Sequence, residues 1–228
     1  MLAIKSIDRI EQSETRVGYF ARGLNFYKLV LICFLAAFFG VVFETIWGYF
    51  KSGYAESQAG LVYGPFNMLY GIGGVLLAVF LYPLRRKNVL YAFLVGFVAG
   101  SGVEYACAWL EDVFFGCKSW DYSSLPFNLH GRICLAYSLI WGILGVLWVK
   151  LCYPWLCGIF LKIPDKLGKV FAWMAFSFLL VNSIITLIAV FRWSQRINQI
   201  PPPGDFWAWI DQRFPDARMQ SIFPNMDF

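Results

Sequence analysis

The chain has 228 residues, 59% of them hydrophobic and 20% aromatic, and a formal net charge of +5. A soluble domain of this length is about 45 to 50% apolar, so the composition excludes a soluble globular enzyme and specifies an integral membrane protein. The modest positive charge is spread among segments, which suits loops facing anionic lipid and leaves no surface for nucleic acid.

Residues 1–25 carry Asp8, Glu11 and Glu14 among basic residues and show no small-residue cleavage site, so they read as a cytoplasmic segment and not a signal peptide. Five apolar stretches follow, near 26–50, 63–82, 89–110, 133–153 and 169–192. Each is long enough to cross a hydrocarbon core of about 30 Å, which takes about 20 helical residues. The predicted fold is all-α, a polytopic membrane helix bundle of about five spans lodged in the cell membrane. Residues 83–88 read as a tight basic turn and 154–168 as a longer loop containing Pro164. Beyond the fifth span, Pro201-Pro202-Pro203-Gly204 breaks the helix, and Asp205 is expected to cap a short one bearing Phe206, Trp207, Trp209, Ile210 and Phe214. Residues 193–228 are therefore expected to lie along the outer surface, their aromatic rings in the headgroup layer.

Orientation follows from lysine and arginine counts in alternate segments. One side collects Lys5, Arg9, Arg16, Arg22, Lys28, Arg85, Arg86, Lys87, Lys150, Lys162, Lys166 and Lys169, twelve in all. The other collects seven: Lys51, Lys118, Arg132, Arg192, Arg196, Arg213 and Arg218. The N-terminus is placed inside and the C-terminus outside.

The spacing also points to an internal repeat of two helices. Gly40 and Glu44 recur as Gly100 and Glu104; Pro65-Phe66-Asn67 begins 21 residues after the first glutamate, and Pro126-Phe127-Asn128 begins 22 after the second. Gly74-Val75-Leu76 precedes Tyr82-Pro83 at the same interval at which Gly145-Val146-Leu147 precedes Tyr153-Pro154. Parallel copies would set Glu44 opposite Glu104. The second copy is ten residues longer, 28 against 18 between Pro-Phe-Asn and Tyr-Pro, and the excess is assigned to non-helical backbone at 128–132.

An ionisable group in the bilayer costs at least about 2.5 kcal/mol, so both glutamates are expected to face the bundle interior and to be paired or used. The candidate site is Glu44, Tyr63, Glu104, Trp120, Asp121, Tyr122, Asn128 and Arg132, all assigned to the outer side. Arg132 is the expected partner of Glu104. His130, the single histidine, carries no assignment to catalysis or metal. No cofactor or metal is implied, since ligand convergence of Glu44, Glu104 and Asp121 is not visible in a sequence. The cysteines at 33, 107, 117, 134, 152 and 157 lack metal spacing and read as small apolar fillers, Cys117 with Cys107 or Cys134 being the pairing worth testing.

The combination of Gly40 to Glu44, Gly60-Leu61-Val62-Tyr63-Gly64-Pro65 with Tyr70-Gly71, Glu104-Tyr105, Trp120-Asp121-Tyr122, Pro126-Phe127-Asn128 with Gly131-Arg132-Ile133-Cys134, and Trp141-Gly142 resembles the bacterial integral membrane proteins described as putative ABC-transporter type IV. The likeness spans residues 30–157, and His130 departs from the pattern. It implies a permease-like transporter component working with a separate ATPase subunit, since the chain has no G-x4-G-K-[ST] phosphate loop. Membrane lipids are the other partner, and further copies of the chain are left open. A second reading is an outer-face enzyme using Glu104 or Asp121 as general acid or base on a lipid-linked or envelope substrate, with Arg132 stabilising negative charge.

Overall fold

A computed structural model describes residues 10, 12–15 and 18–228. Lys5, Asp8, Arg9, Glu11 and Arg16 lie outside the described residues. Asparagines start the first three helices. Asn25 caps α1 (Phe26–Ser52), Asn67 caps α2 (Met68–Leu81) and Asn88 caps α3 (Val89–Phe115), each side chain accepting a first-turn amide. Left-handed glycines, Gly53 and Gly116, end α1 and α3. A two-residue hairpin, β1 (Asn128–Leu129) against β2 (Ile133–Cys134), leads into α4 (Leu135–Leu147). A π-helical turn, Trp148–Cys152, carries that helix on into α5 (Tyr153–Phe160). The chain ends with α6 (Asp165–Ile197), α7 (Asp205–Arg213) and α8 (Asp216–Ile222).

Among the described residues four helical stretches are long and apolar enough to cross a membrane, Phe26–Ser52, Val89–Phe115, Leu135–Phe160 and Asp165–Ile197, and α2 is a shorter apolar helix. The fold is the all-α polytopic bundle read from the sequence. Two boundaries differ. The loop expected at 154–168 is mostly helix, and only 161–164 is non-helical between α5 and α6. Proline lacks the amide that the helix interior needs, and the π turn just before Tyr153-Pro154 is where the hydrogen-bond ladder shifts register.

The second difference concerns the second span. Helix α2 has 14 residues, about 21 Å at the usual rise, too short for a core of about 30 Å. Its expected first turns are irregular backbone over residues 60–67, with Leu61, Val62 and Phe66 buried. This segment folds on itself, the Phe66 carbonyl accepting the amides of Gly60 at 2.9 Å and Leu61 at 3.0 Å. Helix α6 supplies the rest. Thr186 Oγ1 accepts the Val62 amide at 3.0 Å, while Asn182 accepts the Tyr63 amide at 3.2 Å and donates to the Tyr63 carbonyl at 2.7 Å. Both side chains are buried, Asn182 at 2% exposure. Non-helical backbone at membrane depth persists only where protein encloses it, and Asn182 acts here as a substitute for a neighbouring peptide.

The two ends of the bundle are distinct. At one, Phe20 packs edge-on to Phe160 and donates its amide to Asp165 at 2.8 Å, and buried Lys28 pairs with Glu14. At the other, Ser57 donates to the Ile222 carbonyl, Ser194 to that of Phe115, and the backbones of Lys118 and Asp227 exchange two hydrogen bonds. The described part of the N-terminal segment and the tail thus occupy opposite ends of the bundle. At the tail end, buried Arg192 holds Asp211 through Nε and Nη2 at 2.8 Å each, and Arg196 binds Asp211 and Asp216. Burial alone would raise the Asp211 carboxyl; the two arginines outweigh it and hold it below the usual aspartate range.

This pairing cancels charges on the side already poorer in cations, so reporter fusions should place residue Asn88 in the cytoplasm and Phe228 outside. A cytoplasmic Phe228 reverses the orientation. Asn182→Leu, which leaves the Tyr63 amide and carbonyl unpaired, should destabilise the protein by roughly 1–3 kcal/mol per orphaned group in thermal unfolding, whereas substitution of the exposed neighbour Val181 should change little.

Candidate functional site

The helix pairs α1/α2 and α3/α4 meet through small residues at corresponding positions. A Cβ on Gly40 would strike the ring of Tyr70, and one on Gly100 the ring of Trp141. Tyr70 lies four residues before Gly74, and Trp141 four before Gly145. One turn further along, Gly74 lies against Ala36, and Gly145 against Gly96, so closely that a Cβ on Gly96 would come within 2.9 Å of the Gly145 Cα. Gly71 meets Cys33 and Gly142 meets Phe93 in the same register. The two copies therefore make the same contacts, with one offset in the first helix and one in the second.

That register delivers an aromatic donor to each glutamate. The Tyr70 hydroxyl donates to Glu44 at 2.5 Å, and Trp141 Nε1 donates to Glu104 at 3.1 Å. The second oxygen of Glu104 accepts the Tyr122 hydroxyl at 2.8 Å. Tyr122 stacks on Tyr137 with centroids 4.7 Å apart. Measured from the helix ends, Glu44 is eight residues before Ser52 and Glu104 eleven before Phe115, about 12 and 17 Å in. Both are deeper than span ends at 50 and 110 would set them, six residues from each.

The loop before α4 is built to hold Tyr122. Its amide donates to the Gly131 carbonyl at 2.8 Å, and Trp120 Nε1 donates to the Arg132 carbonyl at 3.0 Å, tying the loop to the hairpin. Asn128 donates to the carbonyls of Ser123 and Leu125 and accepts the Gly131 amide. This is the ten-residue excess of the second copy. Its Pro-Phe-Asn closes a loop, while in the first copy Asn67 caps a helix. Asp121 accepts from Ser123 Oγ and its amide, then from Lys118 at 3.3 Å; these bonds pull its carboxyl down to about 2. It is exposed and bonds to none of the glutamates.

Arg132 does not meet Glu104. Its guanidinium pairs with Asp112 at 2.7 Å and donates to the Tyr105 hydroxyl at 3.3 Å, and Tyr105 also bonds His130 at 2.9 Å. Among the described residues no ion pair joins Arg132 to either glutamate. The physical reason is position: Asp112 lies two turns nearer the aqueous end of α3, where a guanidinium keeps part of its hydration. Tyr63 also stands apart, its ring on Phe214 and its hydroxyl accepting from Arg213 at 3.4 Å. Tyr70, Tyr137 and Trp141 join the site without having been assigned to it, and the equal spacing of Tyr70 and Trp141 from the repeated glycine was the available signal.

The six cysteines are free. Among the described residues no group of three or more His, Cys, Asp or Glu side chains is arranged to hold a metal ion. Comparison with known families gives a match to one described as putative ABC-transporter type IV over residues 31–187, which is 157 of the 228 residues. No curated protein and no solved structure matches the chain. The matched stretch contains both glutamates, their aromatic donors, Asn182 and Thr186.

A double-mutant cycle separates the two electrostatic groupings. Arg132→Ala and Asp112→Ala should be non-additive in thermal stability by about 0.5 kcal/mol or more, while Arg132→Ala and Glu104→Gln should add. Coupling of Arg132 to Glu104 instead would refute the arrangement.

Proposed function

From the premise that this chain belongs to the putative ABC-transporter type IV family, we propose a permease-like transporter component of the cell membrane. Family and apolar helices together already make it a transporter-like membrane protein. The finer reading puts its working site in the outer half of the bundle, around Glu44 and Glu104.

One observation carries it: the two carboxylates lie within the spanning helices at corresponding positions of the two helix pairs, and among the described residues every hydrogen bond they receive comes from a neutral donor. Like charges in a poorly solvated site repel, and neither tyrosine nor tryptophan cancels a charge. Positive charge is what this site lacks, so the group it admits is a proton or a cationic moiety. An anion-recognising role for Arg132 is not part of this reading, because Asp112 and Tyr105 occupy its guanidinium. The enzyme reading loses its stabilising cation for the same reason.

The energy source would be a separate ATPase, docked where residues 83–88 and 161–164 turn at the N-terminal end of the bundle. Lipids and further copies of the chain complete the proposed partners.

Thermal unfolding in lipid nanodiscs with alkylammonium, guanidinium and carboxylate salts tests the site. At about 100 times its Kd a bound cation should stabilise the native protein by about 2.7 kcal/mol, and the Glu44→Gln/Glu104→Gln double variant should fold but lose that gain. Equal stabilisation of the double variant by the cation would place binding elsewhere.

A further inference from the structure

The tail carries a surface that neither the bundle nor the glutamate site uses. Ile210 and Phe214 turn inward, at 3% and 1% exposure, into a cluster with Ala189, Val190 and Trp193 of α6 and Met219 and Phe223. On the neighbouring stripe of α7, Phe206 and Trp209 are 54% and 56% exposed, their rings stacked at 6.4 Å. This pair is not isolated. Phe206 contacts Trp207 at 5.3 Å, and Trp207 contacts Phe191 at 6.1 Å. Phe191 stands on α6, itself a candidate spanning helix, and is partly exposed on its surface two turns before the helix ends. An aromatic run therefore begins on a spanning helix and continues without a gap onto the tail.

The tail is also fixed in place. Asp211, one turn along α7, is bonded by buried Arg192 and by Arg196, so the aromatic stripe is held at the level where α6 leaves the bundle. Tryptophan and phenylalanine placed at that level partition into the boundary between headgroups and acyl chains. Arg213, four residues after Trp209 and seven after Phe206, falls on the same stripe and donates to the Tyr63 hydroxyl, while Asp205 and Gln212 lie exposed on its flank.

We infer that α7 is an interfacial anchor whose Phe206 and Trp209 stripe inserts into the headgroup layer of the leaflet at the C-terminal end. The occupant of the stripe is lipid, because the run is continuous with a membrane-spanning surface. This inference is independent of what Glu44 and Glu104 carry.

The test uses the full chain with Cys152→Ser, which removes the exposed native thiol. Single cysteines are introduced as F206C, W209C and Q212C, labelled with a small fluorophore and reconstituted in liposomes. Shallow nitroxide-labelled lipid should quench the labels at 206 and 209 several-fold more than aqueous iodide does, with the label at 212 as the water-facing reference. Iodide quenching at 206 and 209 equal to that at 212 overturns the anchor. Shielding from both quenchers also overturns it, since a second copy or another protein would then cover the stripe. As a measurement free of labels, quenching of intrinsic tryptophan fluorescence by dibrominated lipid should fall in Trp209→Phe, and no fall counts against the anchor.

Discussion

A glutamate within a spanning helix needs a donor that is already there, and in this bundle each glutamate receives one donor across a glycine. Gly40 lets the Tyr70 ring lie flat on α1 and reach Glu44; Gly100 does the same for Trp141 and Glu104. Small residues permit helices to approach closely in a membrane, where water supplies no hydrophobic force between them. The close approach is thus the cause of the hydrogen bond, and the glycine and the carboxylate one turn later form a single device. Removing the glycine would displace the donor before it touched the acid.

Around this device the structure divides its polar residues by task. Tyr122 touches Glu104, whereas Trp120, Asp121 and Asn128 bond to loop backbone and near neighbours, and their effect on the site is to fix where Tyr122 stands. Arg132 and Asp112 balance each other at the rim. Asn182 and Thr186 serve backbone over residues 60–67, and that backbone leads directly into the helix bearing Tyr70. The outer polar residues are therefore layered, a few at the carboxylates and the rest supporting them.

What the sequence discloses is what depends on local pattern. Apolar length revealed the spans, and the recurrence of Gly40 with Glu44 as Gly100 with Glu104 revealed a duplicated contact, because a repeated spacing on a helix repeats a face. Arg132 was assigned to the wrong acid for a different reason. Sequence places Glu104, Asp112 and Arg132 at one end of the bundle but is silent on rotation and on which oxygens other donors have taken. The start of α2 was misplaced because hydropathy measures apolarity, and residues 60–67 are apolar without being helical. Their polar partners were visible as Asn182 and Thr186, four apart in an otherwise apolar helix, yet nothing local connects those residues to Tyr63. The π turn before Pro154 was hidden likewise, since Tyr-Pro ends α2 in the first copy and is absorbed into a longer helix in the second.

The bond between Tyr63 and Asn182 joins residues 119 positions apart, and that between Val62 and Thr186 spans 124. At roughly 5–20 residues per second, synthesis of the intervening chain takes on the order of ten seconds. For that interval the Val62 amide and the Tyr63 amide and carbonyl lack the partners that α6 will bring, and hydrocarbon offers none. The second crossing cannot assume its final form when it leaves the ribosome, and it must wait beside water or the insertion machinery until α6 arrives. Assembly of this bundle accordingly closes from the last span backward. A chain truncated before Asn182 would lack more than one helix, for it would also leave an earlier crossing unfinished and open to quality control.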